Sequence, residues 1–195
     1  GRLRVEDGGI LSGRTVINNG GKIAGDNIQN DGQFILNFDN DALFVANLKG
    51  LGGLYKNNTG TITMTGEVTL AGGVKLNEGG LVIDSAKFKT DLKTAKNSIV
   101  SLLEGSHVSG SVANSGHLFL NNTTLISGNV DNKGKISLGN TQFLSSQIDG
   151  EVTNSGHIIL NPTLRSAGNT LTVSNYIGTT GSTLSMGGVL KGDDT

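Results

Sequence analysis

The sequence predicts an all-β fold, a right-handed parallel β-helix solenoid of about nine or ten rungs of roughly 18 to 22 residues each. Three observations carry that prediction. One short pattern, apolar-x-Gly-x-Val-x-Asn-x-Gly-x-apolar-x-Leu, is written three times, from Val108 to Leu120, Ile126 to Leu138 and Ile148 to Leu160. Apolar and polar residues alternate within it, which is the period of a half-buried strand. Its glycines recur at Gly110, Gly128 and Gly150, so the period is 18 and then 22 residues, with the difference absorbed between Asn140 and Gln147. Each unit reads as two short strands around a bend, and such a unit buries its apolar face only against a stacked copy.

Side chains of one parity share a face, so Val112, Asn114, Gly116, Leu118 and Leu120 point inward. Stacking at about 4.8 Å per rung then aligns Val112 with Val130 and Val152, Leu118 with Ile136 and Ile158, and Leu120 with Leu138 and Leu160. Asn114, Asn132 and Asn154 take the inward parity at the bend, where an amide can bond backbone and stack on its copies. They read as a structural Asn ladder. Gly116, Gly134 and Gly156 follow two places later, where the turn needs positive φ or a close backbone approach.

Composition excludes several classes. With no cysteine there is no disulfide scaffold, zinc-thiolate site or thiol nucleophile. A net charge of −1 from 15 basic and 16 acidic residues leaves no footprint for nucleic acid or an anionic membrane. No apolar run reaches the ~18 residues of a spanning helix, and nothing at Gly1 resembles a signal peptide. Two Tyr and no Trp cannot build the aromatic girdles of a membrane barrel. The chain is expected to be soluble and, despite its low hydrophobicity, ordered by repetition.

Taken in order, the chain divides into looser Gly-rich rungs over 1–84, an irregular rung or insertion over 85–107, and regular rungs over 108–195. Val5-Glu-Asp-Gly-Gly, Val16-Ile-Asn-Asn-Gly-Gly and Asn30-x-Gly32-x-Phe34-x-Leu36 repeat the unit loosely, so the solenoid starts near Gly1. Phe34, Phe38, Phe44, Leu36 and Leu43 point to a wider core there. Residues 85–103 hold no glycine, and Phe88, Leu92, Ala95, Ile99 and Leu102 fall at helical intervals. A short amphipathic helix and a bulged rung both fit. Lys87, Lys89, Lys93 and Lys96 read as a solvated face diluted by Asp84 and Asp91. Pro162 sits just past a core strand, where a missing N–H costs little.

The blocks Gly53-Leu-Tyr-Lys-Asn-Asn-Thr-Gly-Thr-Ile-Thr-Met-Thr-Gly66 and Gly72-Gly-Val-Lys-Leu-Asn-Glu-Gly-Gly-Leu-Val-Ile83 resemble the passenger-associated repeat of type V autotransporters. The N-terminal Gly-Gly units resemble repeats of AIDA-type adhesins. Leu171, Val173, Asn175, Tyr176, Gly178, Gly181 and Leu184, then Leu190, Gly192, Asp193, Asp194 and Thr195, match a junction near the C-terminal end of such passengers. The resemblance implies the C-terminal part of a passenger of the AIDA-like or pertactin-like kind. In the family that part runs on into further sequence and a membrane β-barrel, the protein's membrane contact, absent here. It also implies display on the bacterial cell surface or secretion, and a role in adhesion, aggregation, biofilm formation or virulence.

Candidate chemistry is sparse. Asp149 with Glu151, and Asp39 with Asp41, share outward parity and could form the paired carboxylates of a glycosidase. Neither pair brings the clustered cations or aromatic residues of a sugar site, and Glu6-Asp7 and Asp193-Asp194 read as turns. His117, Lys135 and His157 should form an exposed column, with the two histidines two rungs or roughly 9.6 Å apart, too far to share a zinc at ~2.0 to 2.1 Å. His107 stands alone. No catalytic residue, metal or cofactor is expected. The expected function is a non-catalytic adhesin or self-associating passenger whose partner is a host surface molecule or its own copy. The alternatives are a stalk and folding module without a ligand and a carbohydrate-active β-helix.

Overall fold

Each turn of the chain makes three strands, one for each of three parallel sheets. The computed structural model describes residues 2–4, 9–11, 15–163 and 168–186. The first sheet stacks β2 (Gly9–Leu11), β5 (Asn27–Asn30), β8 (Asn47–Gly50), β11 (Val68–Leu70), β14 (Lys87–Phe88), β17 (His107–Val108), β20 (Leu125–Ile126) and the first half of β23 (Ser145–Asn154). The second stacks β3 (Thr15–Asn19), β6 (Gln33–Asn37), β9 (Gly53–Asn57), β12 (Val74–Leu76), β15 (Leu92–Thr94), β18 (Val112–Asn114), β21 (Val130–Asn132) and the second half of β23. The third stacks β7 (Ala42–Phe44), β10 (Thr61–Met64), β13 (Gly79–Ile83), β16 (Ser98–Leu102), β19 (His117–Leu120), β22 (Lys135–Leu138), β24 (His157–Ile159) and β26 (Thr183–Ser185). The strand β25 (Thr170–Gly178) lies on β23 across the bend between the first two sheets. At the other end, β1 (Arg2–Arg4) pairs β4 (Lys22–Ala24) and no other described strand.

The all-β parallel solenoid is therefore as the sequence indicates, with two differences. There are about eight turns, not nine or ten. Each turn has three strands and not two, because the apolar residue that opens the repeat, such as Val108, belongs to a strand of its own in the first sheet.

Residues 87–102 form the three ordinary strands β14, β15 and β16, and no helix. Phe88, Leu92, Val100 and Leu102 are buried while Ile99 stays half exposed, a period of two within each strand. Two corners inserted between short strands shift that parity, and the sum mimics a helical spacing. The core is one continuous cluster from Ile28 to Ile158. First-sheet partners Ile28, Leu48, Val68, Phe88 and Val108 step by 20 residues each, then Ile126 and Ile148 by 18 and 22. The N-terminal turns, looser in text, are thus the more even in length. In the wider region Phe34 and Phe44 meet edge to face, with ring centroids 6.2 Å apart, and Leu36 is buried beside them. Phe38 is partly buried against this core, but Leu43 points outward and is 64% exposed.

Candidate binding surface

The last inward position of the second sheet is one column, Asn18, Leu36, Lys56, Leu76, Thr94, Asn114, Asn132 and Asn154. Its C-terminal half is a buried polar ladder. The Thr94 hydroxyl donates to the Asn114 Oδ1 at 2.7 Å, Asn114 Nδ2 to Asn132 at 2.8 Å, Asn132 to Asn154 at 2.7 Å, and Asn154 to the Tyr176 hydroxyl at 3.0 Å. Tyr176, in the C-terminal motif, ends the ladder. Gly116, Gly134 and Gly156 lie beside it with ordinary φ; the requirement is close approach, since a Cβ on Gly134 would stand 2.1 Å from the Gly116 carbonyl oxygen.

In the N-terminal half the ladder moves one residue outward. Asn37 donates to Asn19 at 2.7 Å, Asn57 to Asn37 at 2.8 Å, and Asn77 to Asn57 at 2.7 Å. The inward column there holds Lys56, only 2% exposed. Its stem fills the gap between Leu36 and Leu76, and its ammonium donates to the carbonyls of Asn57 at 2.6 Å, Asn58 at 2.7 Å and Glu78 at 3.4 Å. Burial holds the Lys56 ammonium below the usual lysine range, against the opposing pull of Glu78 and Asp39. Sequence reading passed over this lysine and the outer ladder. The signal was parity, since Lys56 shares the inward face with Leu54.

His117, Lys135 and His157 do stack in one column, continued by Thr183. They are not equally exposed. His117 is partly buried, with Nε2 2.7 Å from the Ser137 hydroxyl and its ring 3.7 Å from the Phe119 ring, and burial plus the neighbouring Lys135 charge push it down to about 4. His157 is exposed, with Nδ1 2.7 Å from the Thr183 hydroxyl. His107 is not alone: its Nε2 meets the Ser127 hydroxyl at 2.8 Å. Among the described residues no three acidic or histidine side chains cluster as metal ligands would.

Of the carboxylate pairs, Asp149 accepts from Gln147, and Glu151 accepts from Asn175 at 2.8 Å. Asp41 accepts from the Thr61 N–H at 2.9 Å while Asp39 is exposed. The Glu6-Asp7 and Asp193-Asp194 turns, and the closing Leu190 to Thr195 of the C-terminal motif, lie outside the described residues.

Three of the concavities lie along or beside the corner where second-sheet strands turn into the third sheet. A cleft of about 1060 Å³ at the N-terminal end is floored by Leu36, Phe38, Phe44 and Ile62 and rimmed by Asp26, Asp39 and Asp41. A depression of about 770 Å³ towards the other end is lined by Lys96, Lys133, Lys135, His117 and His157, with no acidic residue among its described walls. A shallower trough of about 410 Å³ lies between and shares Asn97 and Ile99 with the cationic one. Leu43, Val45 and Ile99, 64%, 57% and 48% exposed, lie on or just past strands of the third sheet, while the more exposed Leu51 and Phe143 lie elsewhere.

No family model matches the chain, and no solved structure matches it. Among curated proteins, the autotransporter adhesin AIDA-I of Escherichia coli is 47% identical across the whole chain, which corresponds to 17% of that protein. The autotransporter adhesin/invasin TibA of Escherichia coli O78:H11 (strain H10407 / ETEC) is 30% identical over 58% of the chain and 11% of its own length. The chain thus spans less than a fifth of either relative. With a parallel solenoid of about eight turns and 47% identity to AIDA-I along the whole of the chain, the chain belongs to an autotransporter passenger domain.

Proposed function

We propose that the chain is a non-catalytic, surface-displayed segment of an adhesin passenger that associates with a second copy of itself along the corner between the second and third sheets. The observation that carries this is the separation of charge on that corner. Asp39 precedes β7 and Glu78 precedes β13 on one half of the corner, Lys96 precedes β16 and Lys135 opens β22 on the other, and the turn before β7 is five strands from β22. At about 4.8 Å per strand the two ends are about 24 Å apart. Two rods laid antiparallel bring each acidic end onto the other's cationic end, twice, about a two-fold axis between β13 and β16. Half-exposed Ile99 then faces its copy at the centre, where burial adds to the electrostatic match. Support for a non-catalytic reading is that Asp149 and Glu151 are both engaged by neighbouring amides.

Charge exchange on cells displaying the passenger tests the reading. Lys96→Glu with Lys135→Glu should abolish aggregation, and so should Asp39→Lys with Glu78→Lys. Mixing the two variant populations should restore it, because every like-charge contact becomes a matched one. Aggregation unchanged in both variants would favour the stalk reading. Loss of host-cell attachment with aggregation intact would move the partner to the host surface. Polysaccharide cleavage lost on Asp149→Asn would favour the carbohydrate-active alternative.

A further inference from the structure

The outer face of the second sheet carries a trough of about 390 Å³ in which none of the charged residues of the proposed self-association takes part. Its middle outward column is Tyr55, Lys75, Lys93, Ala113 and Asp131, one residue from each of β9, β12, β15, β18 and β21. Lys75 and Lys93 are direct register partners, one strand spacing or about 4.8 Å apart at the backbone. Like charges set side by side on a sheet repel, so the pair costs stability unless something answers it. Both lysines are exposed, and among the described residues neither has an ion-pair partner; the ion pairs there join Lys89 to Glu67 and Lys133 to Asp131.

The carboxylates of the trough are already engaged. Asp131 is held by Lys133 at 2.9 Å, and Asp91 accepts from the Ser111 N–H at 2.8 Å. At the head of the column Tyr55 is partly exposed, and its hydroxyl has no hydrogen-bond partner among the described residues. Its ring leans over Gly53, where a Cβ would stand 3.2 Å from the ring carbon Cε2. Next in that outer row is Gly73, whose φ of +78 favours glycine, so no side chain fills the space beside Lys75. One aromatic face and two unanswered ammonium groups therefore line one open trough, with Tyr55 and Lys93 two strand spacings or about 9.6 Å apart.

The geometry points to a binding site for an acidic sugar, which lays the apolar face of a ring on Tyr55 and sets a sulfate or carboxylate between the Lys75 and Lys93 ammonium groups. A single anionic group answers both lysines at once, and the ring fixes which way the sugar chain runs along the rod. Asp39, Glu78, Lys96 and Lys135 do not line this trough, so the site and the self-association proposed above fail separately. The test uses the Lys96→Gln, Lys135→Gln form of the chain, which weakens the cationic depression as a second anion site and leaves the trough whole.

The probes are fluorescently labelled tetragalacturonate, which carries only carboxylates, and a sulfate-rich heparin tetrasaccharide, with binding followed by anisotropy at low salt. Saturable one-to-one binding of at least one is expected, and the tighter of the two shows which acid group the lysines select. Lys75→Gln with Lys93→Gln should weaken it about tenfold or more, and labelled maltotetraose, neutral and of equal length, should bind the parent form more weakly by a similar factor. Tyr55→Leu should weaken it about fivefold, whereas Tyr55→Phe keeps the ring and should bind like the parent. Lys49→Gln with Lys87→Gln removes the same charge from the first sheet and should leave binding unchanged. Saturable binding by neither acidic probe, full binding by Tyr55→Leu, or an equal loss from the first-sheet pair overturns the proposal, the last because it would assign the contact to net charge alone.

Discussion

His117 shows how one neighbour changes a residue's meaning. From sequence, His117 and His157 occupy one exposed slot, and their joint replacement by Gln should be silent between about pH 5 and pH 8. In the fold only His157 is exposed; His117 is wedged between Phe119 and Ser137 beside Lys135. Its folded pKa, about 4, lies below the ordinary value of 6.5, so between these the unfolded chain binds the extra proton. Stability from this group is whole above pH 6.5 and is lost as pH falls towards 4. His117→Gln should therefore narrow the gap between denaturation midpoints at pH 7.5 and pH 4.5, and an unchanged gap would return the residue to a bland surface role. Lys56 is the opposite case, a charge the alternation places in the core. Lys56→Met keeps the stem's packing but strips the Asn57 and Asn58 carbonyls of their donor, so it should cost about 1.5 to 3 kcal/mol in urea denaturation.

At the scale of the column, what was legible is what repeats. The Val112, Val130 and Val152 partners, and the slots of Asn114, Asn132 and Asn154, follow from a period of two and a repeated text, and the register carries them. The third strand per turn was hidden because the first-sheet strands β14, β17 and β20 are two residues long, too short for alternation to show. That β4 and β7 do not pair among the described residues was not legible either, because the strand pattern does not encode pairing between turns. Two substitutions test the buried ladder. Asn132→Leu has the right shape, since Leu36 and Leu76 fill the same column upstream, but it removes partners from Asn114 and Asn154. The single change should cost about 1 to 3 kcal/mol, whereas Asn114, Asn132 and Asn154 all changed to Leu should cost under three times that, because the amide-to-amide bonds go together and only Thr94, Tyr176 and the flanking backbone groups lose a partner. Gly134→Ala should exceed both, as its Cβ meets the Gly116 carbonyl oxygen at 2.1 Å and only a backbone shift relieves it; Gly105→Ala, with φ +76 but open space around it, should cost about 1 to 2 kcal/mol.

In the whole molecule, stability is a sum over interfaces between turns, because each turn touches only its neighbours. The sequence invites a gradient, with the three clear repeats firm and everything before residue 104 weaker. The core argues for a different division: Leu48 and Leu138 are both 0% exposed, and one apolar cluster runs from Ile28 through Ile158. Among the described residues, what interrupts the stack is the missing β4–β7 pairing, which removes one of three ladders from a single interface. Leu138→Ala and Leu48→Ala should then cost similar amounts, about 2 to 5 kcal/mol each, since both cavities are walled by turns above and below. Hydrogen exchange should place the boundary near β7. Amides of β10, β13, β16, β19 and β22 should exchange slowly and together, while the Leu43 amide, on the edge of β7 that has no ladder partner among the described residues, should exchange fast although Phe44 beside it is buried. Slow exchange at Leu43, or a boundary near residue 104 with fast amides in β10 and β13, would show that the repeats and not the missing β4–β7 ladder divide the rod.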